Sequence, residues 1–460
     1  MTRIAVFGPG PLPFEDARAN LAPGMRTWQF SLGLAQSGHE VTTFAVELPQ
    51  GEAEGTVDRR EEREGVQIQR LGADEFFDTR AIREALGSLR PEALVGATLL
   101  GSSAASRADL RLPFWADQFG HAMAEAQARS AREEDNSSVA ASWRIVKAVL
   151  TRADKISVIS GSHRYAVIGE LGALGRLNAA TCGYEFTQEI PCATFPERSL
   201  EPPSPTVRGV KVPQDAFLVL WSGSFNVWTD VATLFEGLEM AMRTDARIHF
   251  VSTGGAVDHH DRRTYSEFER RVANSPLRER FHLEGWVRSR LVGGYLREAD
   301  LGVVAERETY EGLLGSKNRI LRWIEMGLPV LCNRVGELTD DLASRKLVLT
   351  FTAGDSKDLC EKILASANQR ETLRTMANKA ASFGRSRFSV SSTTEPLVDW
   401  VTNPQRAPDA GDRRRSGNPL DYGSSLERLA GFGEQFPRIR ESRLLRSVWR
   451  RLSGQRRGPK

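Results

Sequence analysis

The feature that most narrows what this chain can fold into is one pattern met twice. A short apolar run, "IAVF" (4–7), leads into a Gly/Pro-rich loop from Gly8 to Gly24; a periodic stretch over Met25–Ser37 predicts a helix, and Val41–Val46 a second strand. The pattern restarts at "AFLVLWSGSF" (216–225), with a helix predicted over Asp230–Arg243 and a strand in "RIHFVSTGG" (247–255). Between the halves lies "FPERSLEPPSPTVRGVKVP" (195–213), whose five prolines mark a linker. "ALVGATLL" (93–100) and "KISVIS" (155–160) read as further strands, and the polar stretch around 120–152 as one long helix. "FHLEGW" (281–286) and "ADLGVVAE" (299–306) continue the second half, and "EPLVDWV" (395–401) predicts a helix returning to the first. Strand–helix alternation builds parallel sheets with helices on both faces. The expectation is α/β: two Rossmann-like, doubly wound domains facing across a cleft. The predicted boundaries are 1–200, 211–390, a returning helix at 391–405 and a basic tail at 406–460.

Bulk properties bound the rest. A chain of 460 residues can bury two cores. Four cysteines form no C-x-x-C, which fits a reducing compartment, and His259-His260 is the one close histidine pair, set in a polar loop. No divalent ion and no cofactor is therefore expected. No apolar run approaches the roughly 20 residues that span a bilayer. "MTRIAVFG" reads as a strand entering a loop instead of a signal peptide, so a cytoplasmic location is expected and a periplasmic binding protein of similar architecture is disfavoured. The net charge of +3 is uneven: residues 438–460 hold nine basic residues against Glu441, which leaves the other 437 residues at −5. Nucleic acid is not an expected partner, because the body is acidic and carries no nucleic-acid motif. Leu444, Leu445, Val448, Trp449 and Leu452 share one helical face flanked by arginines, the pattern of a helix lying on an anionic membrane surface; an ordinary docked helix or a disordered basic end has the same composition.

The stretch "SKNRILRWIEMGLPVLCNRVG" (316–336) carries the sharpest local signal. Ile320, Leu321, Ile324 and Leu328 give a helical stripe, Gly327 ends the helix and Pro329 forbids its continuation before the strand Val330–Cys332. Lys317, Arg319 and Arg322 then crowd the start of the helix, where the dipole favours an anion. Either they are solvated or a negative ligand sits there.

Several segments together resemble GT-B glycosyltransferases. "APGMRTWQFSLGLAQSGHEVTTF" (22–44) is similar to the N-terminal glycine loop and helix of that class. "SGSFNVWTDVATLFEGL" (222–238), "FHLEGW" with "YLREADLGVV" (295–304), and "NRILRWIEMGLPVLC" (318–332) resemble the C-terminal half of family-4 (group 1) bacterial members in order and spacing. "PFWADQFGHAMAEAQ" (113–127) and "ISGSHRYAVIGELGALGRLN" (159–178) look like the same branch. The resemblance implies transfer of a sugar from a nucleotide-sugar donor to a glycan or lipid-linked acceptor, with retention at the anomeric carbon. The partners implied are those two substrates, and the implied location is cytoplasmic or peripheral on the inner membrane face.

A diphosphate leaving group must be met by cations, backbone N–H groups and a helix N-terminus. By resemblance Arg319 matches the family's phosphate-binding cation, with Lys317 close by. The turn Gly223-Ser224 matches its glycine turn, although the family's following Arg and Lys are replaced by Asn226, Trp228 and Asp230. Gly24 matches a glycine that allows close approach, or is a plain turn glycine. Gly285-Trp286-Val287 matches the stretch that holds the nucleobase, or Trp286 is a core aromatic. Arg322 stands where the family has an acid, and Leu314 where its paired Glu lies. Glu308 and Glu311 are then the nearest carboxylates, unless they belong to a solvated loop. Asp117 and His121, spaced i, i+4, would face one way on a helix and serve as acid and base, or be a capping Asp and a surface His. Three outcomes stay open for Arg322: a shifted acid, a donor gripped otherwise, or a non-catalytic GT-B partner subunit.

Overall fold

The computed structural model describes residues 1–15, 22–46, 59–108, 111–195, 207–257 and 261–411. Most of the Pro-rich linker, the His259-His260 pair and the basic segment 438–460 lie outside the described residues.

The first sheet holds β1 (Arg3–Pro9), β2 (Glu40–Val46), β3 (Arg60–Arg63), β4 (Val66–Leu71), β5 (Ala93–Gly96), β6 (Phe114–Asp117), β7 (Lys155–Val158) and β8 (Thr187–Glu189). Its order is β3-β4-β2-β1-β5-β6-β7-β8, and only the β3–β4 pair is antiparallel. The second sheet holds β9 (Phe217–Ser222), β10 (Ile248–Thr253), β11 (Phe281–Leu283), β12 (Leu301–Val304), β13 (Val330–Asn333) and β14 (Leu349–Phe351), ordered β11-β10-β9-β12-β13-β14 and wholly parallel. The chain therefore reverses its winding direction between β1 and β5 in one sheet and between β9 and β12 in the other. Such switch points open a crevice at the carboxyl ends of the strands.

Alternation along the central strands explains why both faces are covered. Ile4 and Val6 pack with Trp28, Phe30 and Leu397, whereas Ala5 and Phe7 pack with Ala104, Val146 and Val149 on the opposite side. In the second sheet Val219 and Trp221 meet Leu234 and Ile363, while Leu218 and Leu220 meet Ile320, Trp323 and Ile324. A strand buried on both faces reads as a continuous apolar run, which is why these segments were legible. The helix Val390–Thr402 packs across the helix Ala22–Gln36, where a side chain at Gly33 would collide with Thr394.

Three local expectations need correction. The first helix begins at Ala22, so Gly24 sits in its first turn instead of in the preceding loop. "ALVGATLL" is a strand only to Gly96; from Thr98 the chain is helical to Ala108. The single long helix around 120–152 is two helices, Ala122–Glu133 and Ser137–Arg152, broken where Glu134 takes φ +57°. Glu134 ends the first helix in the left-handed conformation that terminates many helices.

The halves touch directly. Glu337, at the start of the helix Glu337–Ser344, accepts hydrogen bonds from the Gly161 N–H (2.9 Å), the Ser162 N–H (2.5 Å) and the Ser162 hydroxyl (2.6 Å). A carboxylate from one half thus satisfies orphan donors at the start of the helix Gly161–Ala173 in the other. Arg132 and Glu267 form a second bridge at 3.0 Å.

Candidate active site in the interdomain cleft

A cleft of about 1350 Å³ separates the carboxyl edges of the two sheets. Its C-terminal wall starts at the end of β9. The Gly223 N–H donates to the Thr253 carbonyl (2.7 Å) and the Gly254 N–H to the Gly285 carbonyl (2.6 Å), which ties three strand ends together. Gly223 has φ +106° and Gly254 φ +119°; a Cβ on Gly254 would lie 2.2 Å from the Gly223 carbonyl oxygen. No other residue fits that approach without strain.

Arg319 faces this turn from the first helical turn of Asn318–Glu325. Its Nη2 donates to the Ser224 carbonyl (2.6 Å), and its guanidinium carbon lies 3.9 Å from the centre of the Trp221 ring. The buried Nε has no hydrogen-bond partner. Burial lowers the Arg319 pKa to about 10, with Glu306 working in the opposite sense, so it remains charged at neutral pH. A guanidinium with a buried orphan donor and no carboxylate on it is costly unless an anion completes it.

Lys317 is buried and donates to Glu306 Oε2 at 2.7 Å. Burial pulls its pKa down, but Glu306 and Glu311 outweigh that and hold it above its ordinary value. Glu306, which no motif singled out, sits just past the carboxyl end of β12, its N–H donating to Asn333 Oδ1 (2.9 Å). The signal was available: "VVAE" puts a carboxylate at the strand end where ligands of such sheets collect. Glu311 is buried in the same cluster, with one oxygen unpartnered. Burial raises its pKa to about 8; Lys317 opposes the rise, while Glu306 and Glu125 add to it. A carboxyl kept neutral at physiological pH donates a hydrogen bond that a carboxylate cannot.

Other candidates fall in different places. Glu308 is exposed and does not line the cleft. Arg322 lines the cleft but is engaged by Glu325 of its own helix (2.9 Å) and by the Phe195 carbonyl (3.4 Å). Asn226 and Trp228 face the cleft, whereas Asp230 is the N-cap of the helix Val231–Thr244. Gly285 has φ +63° beside Trp286, whose indole N–H donates to the Ala256 carbonyl (2.7 Å), and both Trp286 and Val287 line the wall. Gly24 lies beneath the opposite wall: a Cβ there would come 1.9 Å from the Pro11 carbonyl oxygen, so its tolerance is spent on chain-to-chain packing, while Pro23 and Met25 reach the cleft.

Asp117 and His121 are not on one helix. Asp117 ends β6, fully buried, and is saturated by Arg26 (2.8 and 3.0 Å), the Thr98 N–H (2.9 Å) and the Ser157 hydroxyl (2.7 Å). His121 caps the helix Ala122–Glu133, with Nδ1 accepting from the Ala124 N–H (3.1 Å) and Nε2 3.3 Å from Glu170. The spacing reads helical, but a strand carrying buried Phe114 and Trp115 takes precedence at 117. Asp117 thereby positions Thr98, which lines the cleft at φ +64°. Asp117→Ala would leave the Arg26 charge buried and unpaired, so a loss of about 3–5 kcal/mol in unfolding free energy is expected, read by urea denaturation.

Among the described residues no group of three His, Cys, Asp or Glu side chains could hold a metal ion. No described helix is long and apolar enough to cross a membrane.

Residues 216–369 match the family described as "Glycosyl transferases group 1". The fold is GT-B. Sucrose-phosphate synthase from Thermosynechococcus elongatus superposes with a TM-score of 0.66 at 16% identity, over 88% of this chain and 100% of that one. HepE from Anabaena, in complex with UDP and glucose, gives 0.59 at 13%, over 88% and 100%. A UDP-forming α,α-trehalose-phosphate synthase from Burkholderia vietnamiensis gives 0.59 at 12%, over 87% and 100%. No curated protein matches the sequence. The stretch matched to that family carries the Gly223 turn, Glu306, Glu311, Lys317 and Arg319.

Proposed function

We propose that the protein is a retaining glycosyltransferase that moves a sugar from a nucleoside diphosphate donor to a glycan or lipid-linked acceptor. The observation that carries this reading is Arg319, a half-buried cation at a helix start that faces a glycine turn with a buried, unpartnered Nε. A departing diphosphate supplies the missing anion, and the Ser224 backbone amide supplies a neutral donor, the Gly223 N–H being taken by the Thr253 carbonyl. Glu306, paired with Lys317, and neutral Glu311 supply hydrogen-bonding groups for the transferred sugar. They provide the acid side chains that Arg322 displaces from the usual position, and for that reason an active enzyme is preferred to an inert partner subunit. UDP is the first donor base to test, because HepE is seen with UDP and glucose.

Calorimetry with a panel of UDP-, GDP- and ADP-sugars tests the reading: one of them binds, and proton NMR of the product finds the donor's anomeric configuration retained. Binding of none would overturn it. Residues 438–460, with their excess of arginine, are proposed to hold the enzyme at an anionic membrane surface. Deleting them should weaken co-sedimentation with anionic liposomes by tenfold or more; unchanged sedimentation would remove that role.

A further inference from the structure

We infer that Glu337 is a positioning residue for the transfer: it completes the cap of a helix in the opposite half, and so holds the cleft closed with Glu311 in place. This rests on the transferase reading above. The first three N–H groups of the helix Gly161–Ala173, those of Gly161, Ser162 and His163, have no partner within the helix. Ser160, the N-cap, takes the His163 N–H (3.3 Å). The other two donate to Glu337 of the second half, together with the Ser162 hydroxyl. A carboxylate with three donors at a helix start outweighs an ordinary surface contact, because the bonds are charge-assisted and the dipole favours the anion.

The same segment supports the wall that carries Glu311. Gly336 has φ +92°, and a Cβ on it would lie 3.0 Å from the Gly312 carbonyl oxygen and 3.2 Å from that of Leu313. A Cβ on Gly312 would in turn come 2.5 Å from the Val335 side chain. Residues 335–337 and the short helix Tyr310–Leu314 are therefore packed as one piece. That helix, which carries Glu311, also packs against Ala122–Glu133 and Gly161–Ala173 of the first half. Glu311 is thus buried at the seam between the halves, where Glu125 from the first half adds to the rise in its pKa. Opening the seam returns Glu311 to water and takes Glu125 away, while Glu306 and Lys317 stay beside it in the same half. The diphosphate groups, Ser224 and Arg319, also lie in the second half and do not depend on the seam.

The test compares full-length wild type with Glu337→Ala and Glu337→Gln, using UDP-glucose as the probe. Glu337→Ala should lower kcat for UDP-glucose hydrolysis about tenfold or more, as misplaced groups do, and leave UDP affinity by calorimetry unchanged. Its alkaline limb in kcat/KM should move to lower pH, because Glu311 loses the burial that raises its pKa. Glu337→Gln keeps an acceptor without the charge and should recover part of the loss. Ser162→Ala should lower kcat in the wild type and add nothing in Glu337→Ala, since both act through one contact. Small-angle scattering of the free proteins, which needs no turnover, should give Glu337→Ala the larger radius of gyration. Unchanged kcat and limb, equal losses of kcat and UDP affinity, or identical scattering would overturn the inference. A wild type that binds no nucleotide sugar would instead sink the transferase reading, so the two failures are distinguishable.

Discussion

Arg319→Ala is expected to lower kcat/KM for the nucleotide-sugar donor by about 10²- to 10³-fold, the range found when one charge-stabilising donor is removed from a preorganised site. The size follows from position. Arg319 is half-buried against Trp221 and Ser224, and its buried orphan Nε awaits an acceptor in a cleft where water screens poorly. A surface arginine lost from an ion pair would cost at most about 1 kcal/mol. Arg319→Lys keeps the charge but not the fork that holds the Ser224 carbonyl while addressing a phosphate, so it should recover only part of the loss. Arg322→Ala, by contrast, should change donor affinity little, because Arg322 is already held by Glu325 and the Phe195 carbonyl. Steady-state kinetics on the three variants, each checked by its thermal melt, decides between these expectations.

The second large effect is a pH dependence set by Glu311. With its pKa raised to about 8 by burial and by the neighbouring carboxylates, it carries a proton at pH 7. Above pH 8 it ionises beside Glu306 and Glu125, loses the proton it would donate to the transferred sugar and adds a negative charge to a cleft that must take a diphosphate. The log of kcat/KM should therefore fall by about one unit per pH unit above 8, the slope of a single titrating group. Lys317 stays charged through this window because its pKa is held above the ordinary lysine value, and Arg319 does so up to about pH 10, so neither creates the limb. Glu311→Gln mimics the protonated carboxyl and should retain activity at pH 7 while abolishing the fall. Stability obeys the same linkage: a carboxyl raised on folding binds more protons in the native state, so its contribution to stability declines as pH climbs from the ordinary glutamate range, about 4.3, toward 8. A pH–rate profile of wild type and Glu311→Gln reads the first effect; an unchanged alkaline limb in the variant would assign it to another group.

The fold class was legible because its signals are long-range and periodic. Continuous apolar runs such as "AFLVLW" announce strands buried on both faces, and glycine turns at their ends announce the crevice. The helix Asn318–Glu325 and its stop at Gly327, φ +70°, followed from local rules alone. Failures came where tertiary packing overrides spacing. Asp117 and His121 looked like one helical face, yet the buried strand Phe114–Asp117 claims the first and a helix cap the second. Gly24 looked like a ligand contact but makes room for the Pro11 carbonyl. Glu306 was passed over because a lone acid after a strand carries no motif, although Lys317, eleven residues on, is its partner at 2.7 Å. Arg322 drew suspicion because its sequence position is that of an acid. Its Glu325 partner, three residues further along the same helix, was within reach of a helical-spacing argument.

The central claim is that a donor diphosphate is held between the Gly223-Ser224 turn and Arg319. A crystal structure of the full-length protein with UDP tests it most directly. The account predicts the β-phosphate within hydrogen-bond distance of both the Arg319 guanidinium and the Ser224 backbone amide, with the uracil against Gly285-Trp286-Val287. A UDP bound with its phosphates beyond hydrogen-bond reach of Arg319, whether on the N-terminal wall or outside the cleft, would contradict it.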